Sequence, residues 1–262
     1  MIISCIQSKG GNAKTTTAVN LSHALTMHKQ KVLLIDLDSQ GSASLSLGVP
    51  RQELNPSIAE VALDDLPIED AVRETSIENL HLITGSMALA NFDINMADKE
   101  GMTHRINDVI KSISKEYDTI ILDCPPTMSL LPVNALVACD HYLVPCQPHY
   151  LALEGLVNLL DAIERVKAGS GTQGSLLGIL LTMVDSRAKV TSEISSMLRK
   201  QFKDAVFKTE IKTNIKLAEA PSFGKTIFQY DWNCPGAEAY QALAKEVIQR
   251  TKGKSHNETK KK

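Results

Sequence analysis

Aromatic side chains are scarce: Phe, Trp and Tyr make up only 4% of the 262 residues. A core built from this chain has to be filled by aliphatic residues, which suits an α/β interior. No run approaches the ~18 consecutive apolar residues of a membrane span. The N-terminus carries neither a basic region nor a cleavage site, so export is not expected. The five cysteines (Cys5, Cys124, Cys139, Cys146, Cys234) are odd in number and form no C-x-x-C pair. That argues against a disulfide framework and for free thiols in a reducing cytoplasm. The seven histidines share no spacing, and no neighbouring Asp, Glu or Cys completes a zinc pattern. A Gly-x-Ser-x-Gly elbow for nucleophilic chemistry is absent, as is any internal repeat.

What is present is unevenly charged. The formal net charge is −2, yet residues 52–100 hold 11 acidic against 2 basic side chains. Residues 187–216 reverse this with 8 basic (Arg187, Lys189, Arg199, Lys200, Lys203, Lys208, Lys212, Lys216) against 3 acidic. Such a run permits polyanion binding, although a solvated face is the more ordinary reason for one. The length allows one large domain or two small ones. The apolar pattern places a single domain over 1–250 and a polar, basic, disordered tail over 251–262.

The chain is organised around Gln7-Ser8-Lys9-Gly10-Gly11-Asn12-Ala13-Lys14-Thr15-Thr16-Thr17. An apolar run, 1–6, precedes it as a buried strand, and the spacing after it predicts a helix. Strand, glycine-containing loop, Lys-Thr and helix is the order that a phosphate-binding loop requires. Glycines admit an anion close to the backbone, and the loop N–H groups with the helix N-terminus supply partial positive charge. In that chemistry Lys14 reaches the β- and γ-phosphates, and the Thr15 hydroxyl ligates Mg²⁺.

A second buried strand, 31–38, ends in two carboxylates, Asp36 and Asp38, where open α/β sheets place their ligands. A third, Thr119 to Asp123, is followed by Cys124-Pro125-Pro126, which forbids continuation of sheet or helix. Further strands are expected at 80–85, 140–147, 176–183 and 205–211. Helices are expected near 57–63, 102–116, 129–138, 152–165, 190–203 and 236–250. The fold class is therefore α/β, a mostly parallel twisted sheet with helices on both faces.

The loop does not fit the strict G-x-x-x-x-G-K-[ST] pattern, since Ser8 and Ala13 stand at the glycine positions. With one substitution it matches the deviant Walker A form, K-G-G-x-G-K-[ST]-[ST], and so resembles the ParA/MinD ATPases. The Lys9–Thr16 loop, Asp36–Gly41, Asp123–Pro126, Ala152–Gly155 and Leu217–Ser222 occur in the order seen in ParA/Soj partition ATPases, over roughly residues 1–250. With the first strand beginning at residue 2, the resemblance is to the short Soj-like type, without autorepression through a helix-turn-helix.

The resemblance implies a P-loop NTPase that binds ATP and Mg²⁺ and closes as a homodimer over two nucleotides. Residues 9–16 (Lys9, Gly10, Gly11, Asn12, Ala13, Lys14, Thr15, Thr16), Asp123 and Asn214 would bind the nucleotide, Asn214 at the adenine. Lys9 would reach the partner's phosphates, as an arginine finger does in trans. Lys9, Lys14 and Asp38 would be catalytic, with Asp38 orienting water and sharing the Mg²⁺ side with Thr15 and Asp123. The ATP state would bind DNA non-specifically through Arg187, Lys189, Arg199, Lys200, Lys203 and Lys216, at the nucleoid, with a ParB-like adaptor. The alternatives are a ParA-like scaffold that positions a protein cargo and a MinD-like membrane-cycling ATPase. The second needs bulky apolar residues at the C-terminus, and residues 250–262 have no Leu, Ile, Val, Phe or Trp. A nitrogenase-type iron protein is not expected, because Cys124 and Cys139 lack glycine-rich surroundings. Four positions depart from the family pattern: Asn12, Ala13, Ser39, and Lys212-Thr213 before Asn214. Ala13 is harmless in helical geometry but strained if left-handed.

Overall fold

A computed structural model describes the backbone of residues 1–258 and the side chains of residues 1–252. Eight strands form one sheet: β1 (Ile2–Cys5), β2 (Val32–Asp36), β3 (Arg73–Glu74), β4 (Leu80–Ile83), β5 (Thr119–Asp123), β6 (His141–Cys146), β7 (Ser175–Val184) and β8 (Val206–Lys212). Their order across the sheet is β3-β4-β2-β5-β1-β6-β7-β8. All neighbours are parallel except β3, which pairs antiparallel with β4 at the edge. The expected mostly parallel sheet is thus observed. The two-residue strand β3 is too short to show any alternation, and nothing in the sequence announces it.

Both faces are covered, as a parallel sheet demands. Along β2, Leu33 and Ile35 enter one apolar cluster while Val32 and Leu34 enter the other. Alternate side chains of a strand point to opposite faces, and both faces here are dry. The first cluster packs under the helices Leu130–Ala138, Ala152–Ser170 and Lys189–Phe202. The second packs under Lys14–Thr26 and the last helix, Pro235–Glu258. Each buried Leu or Ile contributes roughly 1.5–3 kcal/mol, so a core with few aromatics still holds the sheet.

Several boundaries differ from the sequence pattern. The helix expected over 102–116 is shorter, Arg105–Lys111, with a separate turn at Ser114–Glu116. Asn134, fully buried, explains its start: the Asn134 amide donates to Met102 O, and its carbonyl accepts from Ile106 N. The last helix continues past 250 to Glu258, and residues 259–262 of the expected tail lie outside the described residues. All five cysteines are buried and free. Among the described residues, no helix is long and apolar enough to cross a membrane.

Candidate functional site

The strand order places β5 between β1 and β2. Asp123 at the end of β5 is consequently in register with Cys5 of β1 and Asp36 of β2. The loop after β1, the Asp36–Asp38 turn and Asp123 therefore meet at the carboxyl end of the sheet. They share a cleft of about 520 Å³ whose lining includes Lys9 to Thr16, Asp38, Pro126 and Asn214.

Within the loop, Gly11 is left-handed at φ +79°. Ala13 is left-handed too, at φ 59° and ψ 32°. That settles the geometry left open by the sequence: Ala13 occupies a conformation that costs an L-residue roughly 1–2 kcal/mol. Asn12 shows what holds the loop against this. Its carbonyl accepts from Gln147 N (3.1 Å), and its amide donates to Lys9 O (3.2 Å). Its backbone carbonyl accepts from Thr182 Oγ1 (3.1 Å). The Asn12 side chain, expected at the nucleotide, is thus also tied to the protein behind the loop. Thr182 and Gln147 had no sequence signal, because they come from β7 and from the connection after β6.

The two lysines of the loop stand in opposite environments. Lys14, in the first turn of its helix, is buried, with Nζ 3.7 Å from Asp123 Oδ1. Burial works against its ammonium, but Asp123 and then Cys124 and Asp38 outweigh it and hold its pKa above the ordinary value. Lys9 is exposed at the mouth of the cleft and has no ion pair among the described residues. Asp123 is fully buried, faces Lys14 across 3.7 Å, and neither of its carboxylate oxygens has a hydrogen-bond partner at ordinary length among the described residues. Burial pushes its carboxyl up, while Lys14 pulls it back. Two orphaned buried oxygens beside Thr15 are a donor set that suits a hard divalent cation keeping part of its water shell.

Asp36 and Asp38 divide the remaining work. Asp36 is fully buried and accepts from Ser44 N (2.9 Å), Ser44 Oγ (2.7 Å) and Asp38 N (3.1 Å). It fastens the turn from behind, and burial followed by the charge of Asp123 pushes its carboxyl up to about 7. Asp38 faces the cleft, with Oδ1 accepting from Gln40 N at 3.0 Å. At the far wall, Asn214 caps the short helix Ile215–Glu219 by accepting from Lys216 N at 2.8 Å. Leu217 and Ala218, from the Leu217–Ser222 motif, also line the cleft, as do Met183 and Tyr240, which carry no recognisable motif.

The basic run 187–216 does not form one patch. Its helix, Lys189–Phe202, returns from the carboxyl end of β7 toward the start of β8, a length of roughly 20 Å at 1.5 Å per residue. Arg187, Lys189 and Lys216 therefore lie at the cleft end of the sheet, while Arg199, Lys200 and Lys203 lie at the other. Arg187 is paired with Asp185, Lys189 with Glu193, Arg199 with Glu210 and Lys216 with Glu219.

A family model described as an AAA domain matches residues 1–175. The chain is 39% identical to the chromosome partitioning protein ParA of Myxococcus xanthus over 254 residues, covering 97% of this chain and 90% of that one. It is 39% identical to the sporulation initiation inhibitor protein Soj of Bacillus subtilis over 246 residues, covering 94% and 97%. The chain belongs to the ParA/Soj family of partition ATPases. Among solved structures, it is similar to a cobyrinic acid a,c-diamide synthase from Mycobacterium smegmatis with bound ADP and magnesium. That match has a TM-score of 0.84 and 28% identity, covering 96% of this chain and 95% of the other. The cell division ATPase MinD of Pyrococcus furiosus shares the fold, with a TM-score of 0.78, 24% identity, and coverage of 95% and 98%.

Proposed function

We propose that this ParA/Soj-type ATPase is a Mg-ATP-dependent dimer switch. It binds ATP in the cleft, closes face to face on a second copy, and in that state binds DNA non-specifically at the nucleoid. It acts in chromosome or plasmid segregation with a ParB-like adaptor. The observation that carries this reading is the division between the two lysines. Lys14 is buried on Asp123 and serves its own phosphates; Lys9 is exposed, has no ion pair among the described residues, and can reach a partner's. The same end of the sheet exposes apolar side chains after β4, β6, β7 and β8, namely Ile94, Tyr150, Val190 and Ile215. Exposed apolar groups at a shared face mark an interaction surface, and closure there would cover them.

In this reading the loop N–H groups and Lys14 hold the β- and γ-phosphate oxygens. Thr15 and Asp123, with Asp38 at the cleft edge, are the magnesium side of the site. Magnesium supplies neutralisation of phosphate charge when bound. Asp38 orients the attacking water, and Asn214 stands at the base. Because Lys9 acts only across a dimer, basal turnover is slow, well below the ~1–100 s⁻¹ of kinases.

Light scattering with a slowly hydrolysed ATP analogue and Mg²⁺ tests the switch. Wild type is expected to dimerise with the analogue alone, and Lys9→Ala to bind it but remain monomeric. A dimer that forms without nucleotide and ignores the substitution would remove the trans role of Lys9. A second reading, a scaffold that positions a protein cargo, is favoured by one observation: four of the six basic residues expected on DNA are already in ion pairs.

A further inference from the structure

Two short helices leave the cleft from opposite walls and end against each other. On the hydrolysis side, Ser42–Ser46 starts directly after the Asp38–Gly41 turn, and Ser42 lines the cleft. The chain closes behind it at Gly48, whose N–H donates to Leu45 O at 3.0 Å. On the base side, Asn214 caps Ile215–Glu219, which runs into the turn Ala220–Phe223. That segment closes at Gly224, whose N–H donates to Pro221 O at 3.0 Å.

Both glycines are left-handed, at φ +86° and +60°; Gly224 leaves no room for a Cβ, and at Gly48 one would be tightly held. A methyl group on Gly224 would stand 2.6 Å from Gly48 Cα and 3.2 Å from Gly48 N. One on Gly48 would stand 3.1 Å from Gly224 O. What each Cβ meets is the partner's backbone, which cannot rotate away as a flexible side chain can. Nothing soft lies between the two helix ends. A displacement of either is passed to the other, because packed backbone has low compressibility.

We propose that Gly48 and Gly224 are positioning residues for ATP hydrolysis, transmitting the seating of the nucleoside at Asn214 and Leu217 to the Asp38 turn. The inference rests on the proposed ATPase reading, with Asp38 as the water-orienting group. A base pressed against the 214–218 wall sets the Ala220–Gly224 turn, and Gly224 sets Gly48. Gly48 sets Ser42–Ser46, whose Ser44 already bonds the Asp36 carboxylate behind Asp38. Triphosphate alone, held by the loop and Lys14, does not load this path.

The test compares Gly48→Ala and Gly224→Ala with Gly171→Ala. Gly171 is also left-handed (φ +69°) but has open space at its Cβ position, so it reports backbone strain without the contact. The two contact variants are expected to bind ATP within threefold of wild type and to lose at least tenfold in turnover at saturating ATP. Gly171→Ala should match wild type in both. Turnover unchanged in the contact variants, or affinity falling in step with turnover, overturns the proposal. If the contact variants do not fold, hydrogen exchange on the wild type decides. Amides of 41–49 should be protected by a slowly hydrolysed ATP analogue and not by inorganic tripolyphosphate, each with Mg²⁺; equal protection by both overturns the coupling. A wild type that neither binds nor hydrolyses ATP would instead remove the underlying reading.

Discussion

At the scale of single residues, the site is held in place largely by contacts behind the cleft, from Asp36, Ser44, Gln147 and Thr182. Ala13 is the strained non-glycine residue of the phosphate loop, and its strain is removable. Ala13→Gly relieves about 1–2 kcal/mol of left-handed cost and gives back about 0.5–1 kcal/mol through the greater freedom of unfolded glycine. A net gain between about 0 and 1.5 kcal/mol in urea unfolding is expected, with ATP affinity undiminished; a loss of stability would contradict the left-handed assignment. His23 offers a pH test. Burial lowers its pKa to about 4, and Nδ1 sits 2.7 Å from Thr226 Oγ1. The unfolded chain therefore takes up the proton first, and stability falls as pH drops from 6.5 toward 4, on the order of 3 kcal/mol at most. Asp36, raised to about 7, acts in the opposite sense: its contribution is present below its ordinary 3.8 and is lost as pH rises toward 7. Because the two trends oppose each other over the same window, wild type should be nearly flat between pH 4 and 6.5. His23→Gln should leave the Asp36 trend uncovered, so that its stability declines with rising pH across that window in denaturant titrations.

At the scale of elements, the open edge of the sheet is closed by charge. β8 is the edge strand, and Glu246 of the last helix accepts from Lys208 N and Thr209 N, both at 2.9 Å. Arg250 donates to Val206 O and Arg199 to Phe207 O, so the edge is capped on N–H and C=O alike. Unpaired edge groups are a template for association. Glu246→Ala should cost about 2 kcal/mol in urea unfolding through the two abandoned donors, and should raise turbidity on heating; wild-type behaviour in both would mean the edge is protected otherwise. The buried strands were legible because their apolar runs are uninterrupted and end in Asp36, Asp38 or Asp123. The loop was legible because Gly10, Gly11, Lys14 and Thr15 are contiguous. What was not legible is what depends on contacts between distant segments. Asn134 trimming a helix at Ile106, Asn12 clasped by Gln147, and Arg199 committed to the β8 edge leave no periodic signal. Arg199 reads as one more cation in a basic run until its guanidinium is placed.

At the scale of the whole molecule, the question is which basic residues can act together. Counted along the chain, 187–216 is one cationic segment; folded, it is two ends of a helix facing different ways. Only Arg187, Lys189 and Lys216 share the end of the sheet that would close on a second copy, together with Lys212 after Thr209-Glu210-Ile211. Those four charges are opposed locally by Asp185, Glu193 and Glu219, so one subunit presents little net attraction for phosphate. A closed dimer doubles the contacts, and binding through linked sites rises far more steeply than the count. DNA binding should therefore need ATP, and the effective charges should lie at the nucleotide end. Arg187→Ala with Lys189→Ala removes four cations per dimer, and the slope of log K against log salt should flatten by about 3–4 units. Lys200→Ala with Lys203→Ala removes as many from the other end and should leave binding as in wild type. Arg199 is kept, because its loss would expose the β8 edge. A mobility shift on random-sequence duplex across a salt series reads all three proteins. Equal loss in both variants would mean that DNA wraps the whole helix, and no ATP-dependent shift by a dimer holding nucleotide would turn the choice to the protein-cargo scaffold.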